Sequence, residues 1–337
     1  MRHAVEYALY RLAEGLLRHL PWTTAQAMGE VAGAIAFWAD RRHRRTVLNN
    51  LRLSDLDLSD RETVNTAKAC FRHFGALAFT LPQLLFMGRG ELSHRVRFEG
   101  LEHWDAAAKG GRGFIGLTGH YGNWEAMALV LSATGRPLAV IGRRLENPLL
   151  DNRLRELRTR FGNQVINKSG AMKATIRALR EGMAVGFLLD QDARSQGVFT
   201  EFLGRQASTH TAAAALALRF CLPVIPIFSH PLPDGTLLVR AEPPLELPAP
   251  DGKETDIQAA TQTMNRALER QIRHTPHAWF WMHRRFKTQP QAAGQDLHGP
   301  NAHSALTDRA AHSDQTRQII QPEQAISTND GPKTRQP

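Results

Sequence analysis

Short apolar runs alternate with helix-patterned segments through the central part of the chain. Apolar runs bounded by Gly, Pro or charged residues predict buried strands at 113–118, 137–142, 184–190, 223–228 and 236–242. The short segment QVI at 164–166 is a further predicted strand. The intervening segments place apolar residues three and four positions apart, which is typical of amphipathic helices. This order predicts an α/β fold whose central sheet is mixed but largely parallel and is flanked by helices. The last two strands, joined through PLPDG, predict a hairpin.

Residues at the ends of the predicted helices support these boundaries. Asn123 is a good N-cap for the first helix of the alternating region, and Pro148 and Gly162 suit the opening turn and the end of the next. Ser169 is a plausible N-cap, and Gly182 a terminator, for the helix that follows. Each helix therefore fits between two strands, as parallel pairing requires.

The N-terminal segment carries apolar side chains at helical spacing, with arginines on the polar side. The apolar set is Val5, Leu9, Leu12, Leu16, Leu17 and Leu20. Charged residues interrupt every stretch of the roughly 20 apolar residues that a spanning helix needs, and no signal-peptide pattern is found. Such an amphipathic helix either lies in a membrane interface or packs on the protein's own core.

Changes in composition divide the chain into three predicted parts. Residues 1–95 form an N-terminal helical region, residues 96–288 form the α/β domain, and residues 289–337 form a disordered tail. The tail has almost no aliphatic runs and is rich in Gln, Ala, Ser, Asp, Thr, Pro and Gly, so it has too little apolar surface to build a core.

The chain is basic, with 42 Lys and Arg against 32 Asp and Glu among its 337 residues and a formal net charge of +10. That excess suits anionic partners such as nucleic acid, phosphorylated lipids or an acidic carrier protein, and it does not choose among them. The two cysteines, Cys70 and Cys221, form no C-x-x-C spacing, which disfavours a disulfide scaffold and a zinc ribbon. A reducing, cytosolic environment is indicated.

The sequence HYGNWE places His120 and Glu125 five positions apart, directly after a predicted strand. Open α/β sheets bind ligands at the carboxyl ends of their strands. Gly122 allows a turn tight enough for Glu125 to reach the His120 ring; that contact would fix the tautomer and leave the other ring nitrogen free as a base. On spacing alone, the alternative is that His120 caps the helix and Glu125 is a favourable charge in its first turn.

Arginines follow the next strand and occupy the next helix. Arg143 and Arg144 come directly after a strand, at the same edge as the histidine, and guanidinium groups suit phosphate. A solvated arginine pair is the alternative. Arg158 and Arg160 lie on the following helix, where they are candidate phosphate ligands or ordinary surface charges.

Two acids, Asp190 and Asp192, end another predicted strand at this edge. Paired acids can indicate a metal, but no third ligand follows at a recognisable spacing, so no metal is predicted. Both remain candidate substrate-site residues. A structural role, such as positioning Arg143, is the simpler explanation.

The segment WFWMHRRFK at 279–287 mixes aromatic side chains with Arg284, Arg285 and Lys287. Such a mixture suits a lipid-headgroup interface or stacking on nucleic acid. Packing of the tryptophans in the core is the alternative.

The HYGNWE sequence matches the H-x4-(D/E) signature of the lysophospholipid acyltransferase superfamily. The flanking sequence resembles the lipid A late acyltransferases, which are the lauroyl and myristoyl transferases of Gram-negative bacteria. The likeness continues through GRRLENPLLD, NKSGAMKATIRALREG, LLDQDARSQGVFTEFLGRQASTHTAAAALALR and WFWMHRRFKTQP, and it runs from the N-terminal helix to about residue 288. An ordered series of motifs is far more specific than one short motif.

This resemblance implies a glycerolipid acyltransferase-like fold and transfer of a fatty acyl chain from acyl carrier protein, or less often coenzyme A, to a hydroxyl of a lipid A precursor. It implies that His120 removes the hydroxyl proton, that Glu125 orients the imidazole, and that Arg143 lies where a phosphate is held. The acyl thioester is a co-substrate, and neither a cofactor nor an acyl-enzyme is expected. The lack of a G-x-S-x-G elbow in the sequence agrees with this.

The resemblance also implies attachment of the N-terminal region to the cytoplasmic face of the inner membrane, either peripheral or monotopic. The positive charge would then attract anionic membrane lipids and an acidic acyl carrier protein, and no nucleic acid partner is expected. One rival hypothesis keeps the chemistry and changes the acceptor to another glycolipid or a lysophospholipid. The other rival is a non-catalytic basic binder of membrane or nucleic acid.

Overall fold

The computed structural model describes residues 1–232, 234–248 and 254–290. Its first part is helical, with α1 (Arg2–Leu17), α2 (Trp22–Ala39), α3 (Arg41–Leu53), α4 (Asp60–Thr80) and α5 (Arg89–His94). Ser59 and Glu62 form a capping box that fixes the start of α4. No helix within these described ranges is both long and apolar enough to cross a bilayer.

A seven-stranded sheet forms the centre of the remaining chain. In chain order the strands are β1 (Val96–Glu99), β2 (Phe114–Thr118), β3 (Leu138–Gly142), β4 (Gln164–Asn167), β5 (Ala184–Leu188), β6 (Val198–Phe202), β7 (Arg205–Thr209), β8 (Val224–Pro231) and β9 (Leu237–Ala241). The sheet has the order β1-β9-β8-β2-β5-β3-β4, and β6 and β7 form a separate ribbon. Within the sheet only the β8–β9 hairpin pairs antiparallel. The predicted mixed, largely parallel sheet is confirmed.

Helices cover both faces of the sheet. They are α6 (Leu101–Lys109), α7 (Trp124–Ala133), α8 (Pro148–Thr159), α9 (Ala171–Arg180), α10 (Ala212–Phe220) and α11 (Glu254–His274). Adjacent residues of one strand belong to different cores: Phe114 packs in the core that contains α6, α7 and α8, whereas Ile115 packs with α9, α10 and α11. Burial on both faces explains why the predicted strands are continuous apolar runs rather than alternating ones.

Two parts of this fold are absent from the sequence prediction. One is β1 with the helix α6 that follows it; β1 has only four residues and lies at the edge of the sheet. The other is the β6–β7 ribbon, whose two-residue turn at Leu203 and Gly204 has positive φ at both positions, +49° and +74°. Leu is an unusual residue for such a turn, so the usual hairpin signal is missing.

Helices α2 and α4 pack closely because glycines line their contact. A Cβ on Gly29 would lie 2.4 Å from the Gly75 carbonyl oxygen, and one on Gly33 would lie 2.1 Å from the Phe71 carbonyl oxygen. On α4, the Cys70 thiol lies 3.5 Å from the carbonyl oxygen of Trp279. The N-terminal helices are therefore joined to the C-terminal segment of the α/β fold.

Helices α1 and α2 expose large apolar side chains. The set, called here the α1–α2 apolar face, is Val5, Leu9, Leu12, Leu16, Met28, Val31, Ile35 and Trp38, each between 46% and 66% exposed. The sequence left two alternatives for the N-terminal helix, a membrane interface or packing on the protein's own core. The four α1 residues of this set are exposed, so packing on the core is wrong for them. The predicted disordered tail lies outside the described residues from residue 291 onward, and the division into regions at residues 95 and 288 stays a prediction.

Candidate active site

His120 lies in the turn between β2 and α7, at the carboxyl edge of the sheet. Asn123 caps α7, as predicted, because its side chain accepts a hydrogen bond from a backbone amide three residues on at 2.9 Å. Gly122 has φ of +57°, and a Cβ there would lie 1.8 Å from the Ser229 carbonyl oxygen. Only glycine fits this turn, which holds the histidine backbone in place.

The His120 ring is held by Asp190, which lies in the loop after β5. The ring Nδ1 is 2.9 Å from Asp190 Oδ1, and the backbone amide of His120 donates to Asp190 Oδ2 at 2.7 Å. Strands β2 and β5 are parallel neighbours, so the loops at their carboxyl ends meet. The prediction that Glu125 holds the imidazole is wrong, because Asp190 occupies that position.

Asp190 is completely buried. Besides its two bonds from His120, it accepts a hydrogen bond from Trp279 Nε1 at 2.8 Å. Burial opposes ionisation, but the charge and hydrogen bonds of His120 outweigh it and hold the pKa of Asp190 well below its usual range. Asp190 therefore positions the histidine as a buried carboxylate, which corrects its assignment to the substrate-binding residues.

The charges around His120 favour its protonated form. Burial lowers the pKa of His120, but Asp190, with a smaller contribution from Glu125, overcomes this effect and leaves that pKa above its ordinary value. An ionised carboxylate only accepts hydrogen bonds, so Nδ1 carries the proton and Nε2 is the acceptor of the neutral ring. The side chain keeps 20% of its surface exposed. Nε2 is therefore the nitrogen available to take a proton.

Glu125 pairs with Arg158 on α8 instead of with the histidine. Arg158 Nε donates to Glu125 Oε2 at 2.9 Å, and Nη2 donates to Oε1 in a second, shorter bond. The Asn123 cap explains this arrangement, because it starts α7 so that Glu125 lies in the first helical turn, within reach of α8. Burial opposes the charge on Arg158, but the pairing with Glu125 outweighs it and raises the pKa of Arg158.

Among the predicted arginines, Arg158 is the one that packs beside the histidine turn. Its Nη1 also lies 2.8 Å from the position of a Cβ on Gly142, at the end of β3. Arg143 and Arg144 directly follow Gly142 and are exposed. Their side chains form no ion pair within the part of the chain that the structure describes. Because β3 is separated from β2 by β5 alone, both arginines lie at the same edge of the sheet as His120.

Arg160 and Asp192 have partners within the fold. Arg160 donates to the Leu84 carbonyl oxygen at 2.7 Å, and its guanidinium lies 5.0 Å from the centre of the Phe161 ring. Asp192 accepts a hydrogen bond from Thr288 Oγ1 at 2.9 Å. These contacts give both residues a partner within the fold, and their assignment to substrate binding stays a prediction. In residues 1–232, 234–248 and 254–290, no group of three or more His, Cys, Asp or Glu could hold a metal.

The aromatic and basic segment at 279–287 has two kinds of position. Trp279, Trp281 and Arg285 are completely buried. Arg285 donates to backbone carbonyls of β7 and of the loop after β5, at 2.6 and 3.2 Å. Arg284 and Lys287 are exposed. Core packing is therefore confirmed for both tryptophans, and the prediction of a lipid or nucleic-acid interface is wrong for the three buried residues.

Trp279 is a site residue that the sequence analysis did not assign. It donates to Asp190, and it forms a backbone bridge with Tyr121, while the Phe280 amide donates to the His120 carbonyl oxygen at 2.9 Å. The C-terminal segment thus closes over the histidine turn. A buried indole needs a hydrogen-bond acceptor, but nothing in the sequence pairs it with a carboxylate 89 positions away.

An apolar cavity of about 70 Å³ lies behind this turn. Its lining includes Trp22, Ala76, Leu77, Thr80, Ala126 and Val130, and it reaches Asn123 next to the histidine turn. His73 also lines it, and burial, with a smaller effect of His277, lowers the pKa of His73 to about 4. That histidine is therefore uncharged at neutral pH, which keeps this part of the cavity wall uncharged.

Comparisons with known proteins show the family of the chain. The family model described as bacterial lipid A biosynthesis acyltransferase matches residues 1–288. The chain is 25% identical over 284 residues to the lipid A biosynthesis lauroyltransferase of Escherichia coli, covering 82% of this chain and 89% of that protein. It is 22% identical over 274 residues to the lipid A biosynthesis acyltransferase of Haemophilus influenzae, covering 80% and 84%.

A relative with another named substrate is similar to a comparable degree. The phosphatidylinositol mannoside acyltransferase of Mycolicibacterium smegmatis is 24% identical over 273 residues, covering 78% of this chain and 86% of that protein. All three relatives are acyltransferases by name. Since the family model spans nearly all the described residues, this chain is an acyltransferase that belongs to the bacterial lipid A biosynthesis acyltransferase family.

Proposed function

We propose that the protein transfers a fatty acyl chain from the thioester of acyl carrier protein, or of coenzyme A, to a hydroxyl of a lipid A precursor, with His120 as general base. The observation that carries the proposal is the 2.9 Å contact between His120 Nδ1 and the buried Asp190, which leaves Nε2 as the proton acceptor. The acceptor class is taken from the relatives whose names specify lipid A.

The reaction needs one base and no protein nucleophile. His120 Nε2 takes the hydroxyl proton as the acceptor oxygen attacks the thioester carbon, and the imidazolium returns a proton to the thiolate as the C–S bond breaks. The products are an ester and a free thiol. Cys70 is unsuited to form an acyl-enzyme, because burial raises the pKa of its thiol to about 12.

The Glu125–Arg158 pair has an electrostatic role in this scheme. Glu125 raises the pKa of His120 and Arg158 lowers it, so the pair adjusts the base without contacting its Nδ1. Arg158 also brings a guanidinium to the edge where Arg143 and Arg144 are exposed. These three cations suit the phosphates of a lipid A precursor.

Removal of Glu125 and removal of Arg158 are expected to shift the pH profile of kcat/KM in opposite directions. The base works when neutral, so kcat/KM rises with pH through the pKa of His120. Arg158→Ala should move this limb to higher pH and Glu125→Gln to lower pH, with kcat/KM reduced about 10- to 100-fold by the loss of positioning. The measurement is acyl-transfer rate against pH, with Arg160→Ala as the matched control whose limb stays in place.

The apolar cavity behind the histidine turn is assigned to one segment of the acyl chain, because its volume of about 70 Å³ is well below the roughly 300–1,000 Å³ of a site for a whole ligand. Its aliphatic and aromatic lining suits a hydrocarbon chain, and Asn123 joins it to the turn that carries His120. A segment of the chain seated there would help to hold the thioester carbon near the base.

The α1–α2 apolar face is assigned to the cytoplasmic surface of the inner membrane. Large exposed apolar patches are rare on proteins that stay in water and mark surfaces that bind lipids or other proteins. Arg41 and Arg42, at the start of α3, directly follow the face and suit anionic headgroups. Helices that lie in an interface combine these two features.

Polar substitutions on this face are expected to weaken membrane binding. Leu9→Gln/Leu12→Gln should reduce partitioning onto anionic phospholipid vesicles by about tenfold or more, since each leucine loses roughly 1.5–3 kcal/mol of burial. Sedimentation with vesicles measures this, and Leu9→Ile/Leu12→Ile is the matched control. Equal partitioning of the Gln and Ile variants would contradict the assignment.

The acceptor is tested with purified protein and with cells. Acyl transfer from acyl carrier protein to a lipid A precursor, followed by mass spectrometry, should yield a product heavier by one acyl chain, and deletion of the gene should remove one chain from cellular lipid A. Unchanged lipid A would contradict the proposal. The name of the mycobacterial relative supports a second candidate, transfer to another glycolipid, and the lipid lost in the deletion strain decides between them.

A further inference from the structure

A basic groove runs between α3 and the end of the C-terminal segment. Its cationic lining residues are Arg45, Arg52, Arg284 and Lys287, and no acidic residue is among the lining that the structure describes. Arg45 and Arg52 lie two turns apart on α3 and so share one face of the helix. The groove volume of about 550 Å³ is within the roughly 300–1,000 Å³ usual for small-molecule sites.

Most of these cations have no side-chain partner among the described residues. Arg45, Arg284 and Lys287 are exposed, and their side chains make no ion pair or hydrogen bond with any described residue. Arg52 has one exposed partner, Asp60, at 3.6 Å. Like charges facing one groove repel each other, so the arrangement favours a bound anion.

The floor of the groove is connected to the His120 site. Asn50 lines the groove, and its Nδ2 donates to the carbonyl oxygens of Trp281 and His283 at 2.9 and 2.8 Å. The ring of His283 lies 6.5 Å from the ring of His120. The groove is therefore one layer of residues away from the reacting centre.

We propose that the basic groove binds a phosphate group of one of the two substrates, a site distinct from Arg143, Arg144 and Arg158. The proposal rests on the acyl-transfer function above. The same phosphate chemistry is present in two sources, the phosphopantetheine arm of the donor and the sugar phosphates of the acceptor. Two guanidinium groups and an ammonium group that no described residue pairs with suit either one.

The apolar side chains of the groove argue against a membrane surface as its occupant. Leu48, Leu53 and Phe286 line it but are partly or fully buried. The α1–α2 apolar face, in contrast, exposes about half or more of nearly every side chain. The groove thus offers charge in a concave shape, which fits a phosphate group better than a bilayer.

The test uses Arg284→Gln/Lys287→Gln in the full chain. Arg112→Gln/Lys173→Gln is the matched control, because it removes the same charge from two exposed residues outside the groove. Calorimetric titration with inorganic pyrophosphate should show about tenfold weaker binding for the groove variant alone. In acyl-transfer assays, KM for one substrate should rise about five- to tenfold while kcat stays within about twofold.

The identity of that substrate separates the two sources. If KM rises for both the acyl carrier protein donor and the coenzyme A donor, the groove binds the phosphopantetheine phosphate. If KM rises for a phosphorylated acceptor but not for the same acceptor without its phosphate, the groove binds the sugar phosphate. Unchanged pyrophosphate binding with unchanged KM values overturns the proposal, as does a loss confined to vesicle binding. The titration stands independently of acyl transfer, so a failure of the proposed function is distinguishable from a failure of the groove.

Discussion

His120→Ala is expected to lower kcat/KM for acyl transfer by about 10²- to 10⁴-fold, which is the usual contribution of a positioned general base. The substitution removes Nε2, the ring nitrogen that the contact with Asp190 leaves free. The hydroxyl would then attack the thioester without a group to take its proton. The measurement is the rate of labelled acyl transfer from acyl carrier protein to a lipid A precursor.

A second variant separates chemistry from folding. Ala leaves the buried Asp190 without its charged partner, which is destabilising in itself. His120→Asn retains a donor for that carboxylate and supplies no base, so it should lose activity with a smaller change in Tm. His94→Ala removes an exposed histidine at the end of α5 and should keep full activity. Activity close to that of the unaltered protein in His120→Asn would contradict the mechanism.

The fold was predictable where local signals agree with one another. Asn123 and Pro148 stand at helix starts, as their side chains favour, and the apolar run before Asn123 became β2, in which every residue is buried. Ser169 was wrong as a cap, because Gly170, with φ of +72°, takes the N-cap position of α9. The glycine conformation decided that boundary, and a cap preference alone could not predict it.

The partner of the histidine was not predictable from local spacing. Glu125 is close in sequence, but the helix that Asn123 starts places it beside Arg158. Asp190 is 70 positions away and reaches the ring because β2 and β5 are neighbours in the sheet. Strand order is a property of the whole sheet and cannot be deduced from one local segment. The sequence therefore showed that Asp190 follows a strand, but it did not show that this strand lies next to the strand before His120.

The C-terminal segment illustrates a different limit. Its basic residues look alike in sequence, yet Arg285 is buried among backbone carbonyls while Arg284 and Lys287 face a groove. Buried guanidinium groups occur where enough acceptors converge, and two of the three acceptors of Arg285 come from the β6–β7 ribbon, which was not predicted from the sequence. Missing the ribbon therefore hid the buried position of Arg285.

Asp190→Asn is expected to reduce kcat/KM by about 100-fold or more and to move the acidic limb of the pH profile to lower pH. The carboxylate fixes the proton on His120 Nδ1, and an amide can present a donor there and reverse the tautomer, as in hydrolase triads whose Asp is replaced by Asn. Asp190 also raises the pKa of His120 against the effect of burial, so its loss lowers that pKa. A neutral base then persists at lower pH.

Asp192→Asn is the matched control for this prediction. Asp192 lies in the same loop and accepts a hydrogen bond from Thr288, so its loss tests the loop without removing the charge at the histidine. A merely structural role for Asp190 would lower Tm and the amount of active protein but leave the pH limb in place. A fall in rate together with a shifted limb, in Asp190→Asn and not in Asp192→Asn, is therefore the signature of a carboxylate that acts through His120.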